Sequence, residues 1–239
     1  MPPPRKLIED KKAVVLGVAG RMFLATGYTD VSIDAIVAEV GGSKSFIYNN
    51  FGSKGDLFIA VIAELCESIA APLVSLDTST LGCEDGLRAI GTRFVELSLS
   101  ERSLDLHRLV VAERLTFPQI GQVFMETGPR NSFEVVARFM ANHQSAGVLK
   151  EDVDSTELAM IFLGMLNAGW LVSLLTLAGT RPSKRRVAQR VRNGSCTTRR
   201  MCPRTSWTCV SRSIPSQASC RRWKISWRCR SWKYVAPTC

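Results

Sequence analysis

The sequence predicts an all-α chain, and three observations carry that prediction. Apolar residues recur at three- and four-residue steps through residues 13 to 180, serine caps and glycine or proline breaks separate the periodic segments, and no alternating run is long enough for a strand. With 239 residues there is room for two helical domains, each with a real core. Periodicity and composition mark three parts: a three-helix helix-turn-helix domain over 1–56, a larger helical domain over 57–192, and an irregular basic tail over 193–239. The net charge of +10 is uneven, because residues 1–180 hold 15 Lys/Arg against 21 Asp/Glu and residues 181–239 hold 16 Lys/Arg with no acid. Overall basicity is therefore an argument about the tail alone.

Residues 1–12 are proline-rich and then mixed in charge, and read either as an unstructured start or as a basic arm. No apolar signal segment follows, so a cytoplasmic protein is expected. A helix is predicted over 13–25, with Val14, Val15, Val18, Met22 and Phe23 inward and Gly27 closing it. Ser32 then stands as an N-cap before Ile33, Ile36, Val37 and Val40, one apolar face of a second helix, and Asp34 places a negative charge at its positive end. Gly41-Gly42 breaks that helix. Ser43 caps a third, over 44–50, which turns Ile47 and Phe51 inward and leaves Lys44, Ser45, Phe46, Tyr48 and Asn49 mostly outside.

Two helices joined by a short glycine turn make a helix-turn-helix, whose second helix enters the major groove of double-stranded DNA. The outward residues suit that task. Lys44 and Lys54 can neutralise phosphates, the hydroxyls of Ser43, Ser45 and Tyr48 can donate to phosphate oxygens, and Asn49 or Asn50 can reach a base edge. An ordinary helical hairpin with solvated polar faces would show the same spacing.

A resemblance favours the first reading. Gly27-Tyr28, Ser32, Ile36, Gly41, Ser43-Lys44, Tyr48, Phe51, Ser53-Lys54 and Leu57 fall in register with the N-terminal signature of TetR/AcrR-type transcriptional regulators, which this stretch of about fifty residues resembles. That resemblance implies DNA contacts at Ser32, Lys44, Ser45, Phe46, Tyr48, Asn49, Asn50 and Lys54. It also implies a homodimer that binds a palindromic operator, most often as a repressor, and a small apolar effector. Four positions depart from the family pattern: Val37 for alanine, Gly42 for valine, Asn50 for histidine and Gly55 for glutamate. Gly42 is expected to loosen the hairpin slightly.

Ser53 and Asp56 form a capping box ahead of a helix through Leu57, Phe58, Val61, Ile62 and Leu65, expected to run to about residue 70 and stop before Pro72. Further helices are predicted over 84–100, 104–116, 118–127 and 129–145, separated by Arg102-Ser103, Phe117-Pro118 and Gly128-Pro129. Leu106 to Glu126, which carries R-L-V-x-A-E and F-P runs, also resembles the effector-binding half of TetR-type proteins. Phe94, Leu109, Phe117, Phe124, Phe139 and Met165 are pocket candidates, though most are expected to be core. Residues 158–179 carry no charge and follow the cap Asp154-Ser155-Thr156-Glu157. A helix apolar all round is a membrane span or is buried in protein, and burial is favoured because one span does not fit between soluble-looking helices. In the family the last two long helices pack with their mates in a dimer. Gly164, Ala168 and Gly169 would allow close approach, and Trp170 would supply buried area.

The tail differs from the rest. Six of the eight cysteines and four of the five tryptophans lie in it, with no histidine and no pair of cysteines spaced for zinc. Of the 47 residues from 193 to 239, 37 are Arg, Cys, Trp, Gly, Ser, Thr, Pro or Ala, whose codons have G or C at the second position. A GC-rich gene carries that bias at the third position, so the tail is expected to be a frameshifted translation.

Catalytic chemistry has little to work with. Only His107 and His143 are present, without a serine elbow, a phosphate loop or a zinc-protease motif, so no enzyme, cofactor or metal is expected. His107, with Glu113 nearby on the same helix, reads as a pocket residue or, more simply, as a polar residue on an amphipathic helix. Cys66 and Cys83 read as inert small core residues. The competing classes are a helical enzyme, a membrane-associated binding module and a defective regulator that does not dimerise.

Overall fold

The computed structural model describes residues 5–167, 169–177 and 179–200. The described residues form eleven helices: α1 (Arg5–Thr26), α2 (Ile33–Val40), α3 (Lys44–Phe51), α4 (Lys54–Val74), α5 (Cys83–Ser98), α6 (Glu101–Glu113), α7 (Ile120–Thr127), α8 (Pro129–Ser145), α9 (Ser155–Asn167), α10 (Trp170–Leu175) and α11 (Lys184–Arg200). No strand occurs among them.

Helix α1 starts at Arg5 instead of residue 13, because Arg, Lys, Leu and Glu propagate a helix by intrinsic preference without an apolar stripe. Its buried face is Val15, Val18, Ala19 and Phe23, while Val14, expected inward, is 52% exposed. The caps are as the sequence predicts. Ser32 accepts the Ala35 N–H at 3.1 Å and Ser43 accepts the Phe46 N–H at 3.2 Å. Ser53 and Asp56 close a reciprocal capping box at the head of α4.

Two apolar cores result. The first joins α1, α2, α3 and the front of α4, through Phe23, Ile36, Ile47 and Phe58, to Leu106, Leu109 and Val110 of α6 and Ile120 of α7. The second joins Leu73 of α4 to α5, α8, α9 and α11 through Ile90, Phe139, Phe162 and Val191. One helix, α4, contributes to both. It does not stop before Pro72: Ala70 and Leu73 are buried, and their packing carries the helix past one missing N–H. By length and composition α4 is also long and apolar enough to cross a membrane. It is packed along its length against both cores.

The uncharged stretch 158–179 is not one helix. It breaks between Asn167 and Trp170, where Gly169 takes φ 78°, a conformation cheap only for glycine. Trp170 lies under the Arg190 guanidinium, 3.7 Å from its ring centre. At the other end α11 runs past the change in composition at 193 as far as Arg200. Ser195 is buried and its hydroxyl donates to the Val191 carbonyl at 2.9 Å. Gly91 sits where α5 meets α9 and α11, and a Cβ there would lie 3.1 Å from both Phe162 and Val191. Five of the tail cysteines and all four of its tryptophans lie outside the described residues.

The turn of the hairpin contains two glycines with opposite requirements. Gly41 has φ 69°, whereas Gly42 does not fall in that region and a Cβ on it would meet nothing within 4 Å. Gly42→Ala should therefore raise stability by about 0.4–1 kcal/mol, by restricting the unfolded chain, while Gly41→Ala should lower it. Thermal unfolding of the two variants checks the opposite signs.

Candidate nucleic-acid interface and ligand cavity

On α3, Lys44, Ser45, Tyr48 and Asn49 are exposed and form one continuous patch, since 44 and 48, and 45 and 49, are one turn apart. The cap serines Ser32 and Ser43 border it. Each accepts a backbone N–H through oxygen, so its own hydroxyl proton is still available to donate to a phosphate. Lys44 pairs with Asp34 at 2.5 Å, with side chains 57% and 67% exposed. The hydrogen bond to that carboxylate, and its charge, hold the Lys44 ammonium above its ordinary value. So exposed a pair is weak, and Lys44 can exchange Asp34 for a phosphate.

Three of the expected contact residues are placed otherwise. Phe46 is not an outward residue: its ring packs partly against the first core. Asn50 is half-buried and its amide donates to the Phe46 carbonyl at 2.8 Å, which closes a turn of the helix. Lys54 is half-buried, its ammonium 4.1 Å from the centre of the Tyr28 ring and 3.4 Å from the Thr29 carbonyl. It ties the start of α4 to the α1–α2 loop.

Tyr28 is the residue whose structural role the sequence understated. Its ring meets Phe58 at 5.0 Å and Phe117 at 4.7 Å, and its N–H donates to Glu113 Oε1 at 3.4 Å. Burial, followed by the charges of Glu113 and Asp56, raises the Tyr28 phenol above its ordinary value. Phe117 explains the departure at Gly55, since a Cβ there would lie 3.1 Å from the Phe117 ring. Glu113 therefore serves this joint and not His107. Helix α6 thus touches the reading head at its C-terminal end.

At its other end α6 lines an open cavity of about 370 Å³ together with α4, α5, α7, α8, α9 and Leu171 of α10. Phe94, Phe124, Phe133, Leu73, Leu106 and Leu163 are part of its apolar wall, and no Asp, Glu, Lys or Arg among the described residues lines it. Of the pocket candidates only Phe94 and Phe124 reach it. Leu109 and Phe139 are core, Phe117 belongs to the aromatic cluster, and Met165 is half-buried elsewhere. His107 does line the cavity: Nδ1 donates to the Ser103 carbonyl at 2.6 Å, and the ring meets Phe124 edge-on at 4.9 Å. The Asn167 Oδ1 is buried and has no hydrogen-bond partner among the described residues, a cost of about 1–3 kcal/mol.

Cys66 also lines the cavity, and burial pushes its thiol up to about 11. The folded chain should therefore leave Cys66 unmodified by iodoacetamide at neutral pH, and unfolding should expose it, as peptide mass mapping would show. The unfolded thiol ionises from about pH 9, before the folded one, so this group removes stability as pH rises between those values.

Residues 15–61 match the family model described as bacterial regulatory proteins of the tetR family. Residues 85–195 match a second, described as the C-terminal domain of AefR-like transcriptional repressors. Among solved structures, the flavonoid-responsive regulator FrrA is 26% identical with TM-score 0.71, over 82% of this chain and 100% of that one. A TetR-family regulator from Mesorhizobium loti is 22% identical with TM-score 0.68, over 83% and 98%. A transcriptional regulator from Saccharomonospora viridis, solved in complex with choline, is 22% identical with TM-score 0.52, over 77% and 95%. No curated protein matches the chain.

The first match covers α2, α3 and parts of α1 and α4, the second runs from α5 into α11, and together they define a helix-turn-helix DNA-binding transcriptional regulator. Within that class the chain belongs to the TetR family.

Proposed function

We propose that the protein is a cytoplasmic repressor that binds a palindromic operator as a homodimer and releases it when a small, largely apolar effector enters the cavity. The observation that carries this reading is the shared use of α4 and α6. Both helices wall the cavity at one end and pack into the core of the reading head at the other. An effector that fits only one spacing of the two heads, about 34 Å in the DNA-bound form, would shift the equilibrium by its difference in affinity for the two states. That FrrA is flavonoid-responsive supports a small-molecule trigger. For the dimer, Val172 of α10 is 64% exposed, which supports a helical face open to a second copy.

Footprinting on the DNA upstream of the gene tests the function. A short palindromic footprint that weakens steeply with salt is expected. Lys44→Ala and Tyr48→Ala should each abolish it while the helical signal is unchanged. Intact footprints in both would move the site elsewhere.

A second reading has its own observation. The family match ends at 195, beside the change in composition at 193, which supports a frameshifted tail and a final helix that differs from the family's beyond that point. The size-exclusion mass of the full chain distinguishes a dimer from a regulator that no longer pairs, and the coding DNA decides the frameshift. An amphipathic helix free of stops in a neighbouring frame after Gly194 is expected.

A further inference from the structure

Resting on the reading of α3 as the helix that enters the major groove, we infer that a single residue sets which base pair the protein demands there: Asn49, whose side-chain amide reads an adenine in each half-site, while Asn50 takes no part.

Helix geometry divides the exposed residues of α3 into two groups. Ile47 is 2% exposed and marks the side that faces the core. At about 100° per residue, Ser45 and Asn49 each stand about 160° round the helix from Ile47, so these two exposed side chains project furthest from the body. Lys44 and Tyr48 stand about 60° and 100° from it, both on one flank. The Lys44–Asp34 pair joins that flank to the first turn of α2, which Ser32 caps. A flank meets the sugar-phosphate walls of the groove, and the outermost ridge meets the base edges on its floor. Because α3 has eight residues and is about 12 Å long, no longer than the groove is wide, Ser45 and Asn49 both lie over that floor.

Only one of these two residues discriminates between bases. The Ser45 hydroxyl both donates and accepts, so it suits several base edges. The Asn49 amide presents a donor and an acceptor side by side. Adenine offers the matching pair in the major groove, an N7 acceptor beside an N6 donor, whereas guanine shows two acceptors there. Asn50 carries the same amide but holds it elsewhere. It is half-buried, stands about 60° from Ile47 on the flank opposite Lys44, and donates to the Phe46 carbonyl at 2.8 Å.

Selection by the full chain from a random pool of double-stranded DNA, read by sequencing, tests this. The wild type should enrich a palindromic site with one adenine fixed in each half. Asn49 is exposed and alanine favours a helix, so Asn49→Ala should fold. It should keep the rest of the site and lose the preference for that adenine, which in the wild type should be about five- to a hundredfold over the other bases. Asn50→Ala, which gives up only a contact within the helix, should leave the position as it was. Four results overturn the assignment to Asn49: a fixed adenine that survives Asn49→Ala, a relaxed position that is not an adenine, relaxation of the same position by Asn50→Ala, or loss of binding to every sequence in Asn49→Ala. In each of them a site enriched by the wild type still upholds α3 as the DNA-binding helix of a regulator. If the wild type enriches no sequence at all, both levels of the reading fail.

Discussion

Phe58→Ala should cost about 3–5 kcal/mol of stability, the range for truncating a fully buried phenylalanine. The ring is 0% exposed and sits at the centre of three aromatic side chains. Phe23 meets it edge-on at 5.0 Å, Tyr28 at 5.0 Å, and Phe117 at 5.2 Å. These partners come from α1, the α1–α2 loop and the α6–α7 loop, so a single side chain connects the reading head to the helical body. Such pairs add about 0.5–1.5 kcal/mol each beyond the area they bury. Against a total stability of about 5–15 kcal/mol, the loss would leave a large fraction of the chain unfolded at 37 °C. Urea unfolding should show the midpoint falling with an unchanged slope. Phe58→Leu, which keeps most of the volume, should lose less than half as much. A loss below about 1.5 kcal/mol for the alanine variant would mean that the neighbouring rings close the cavity and that the cluster is not the joint described here.

The features legible in the sequence were those set by neighbours in the chain. A cap hydroxyl bonds an amide three residues on, so Ser32, Ser43 and Ser53 could be assigned without knowing what the helices pack against. The same holds for the breaks at Gly41 and Gly128-Pro129. Contacts between distant residues were not legible. Tyr28 and Glu113 lie 85 positions apart, and only the packing of α6 against α1 brings them together. In α3, eight residues long, apolar Phe46 and Ile47 are adjacent, and periodicity alone could not say how far Phe46 turns inward. Lys54 and Asn50 fit the family's DNA contacts by position, yet local partners in the Tyr28 ring, the Thr29 carbonyl and the Phe46 carbonyl hold them. The cavity was the least legible part, because Phe94 and Phe124 that line it and Phe139 that does not are the same kind of residue, each on an amphipathic helix.

Gly86→Val should cost the second core about 3 kcal/mol, the upper part of the usual range for overpacking. A Cβ on Gly86 would lie 2.2 Å from Phe139 Cζ and 2.5 Å from Cε2, distances no side chain can hold. The Phe139 ring has little room to move, since it is 6% exposed and packs on the His143 ring with centroids 4.3 Å apart. Helices α5 and α8 must therefore separate, or the phenylalanine must leave its rotamer. Phe139→Leu in the same chain removes the obstructing end of the ring, and the double variant should recover more than half of the loss, a coupling that a double-mutant cycle reads directly. The way the protein melts carries a further consequence. Because α4 holds Phe58 in one core and Leu73 in the other, a loss in the second core should lower a single calorimetric transition rather than split it. Two transitions, with only one displaced by Gly86→Val, would show that α4 transmits no stability between the reading head and the body, and the proposed path from cavity to DNA would lose its mechanical basis.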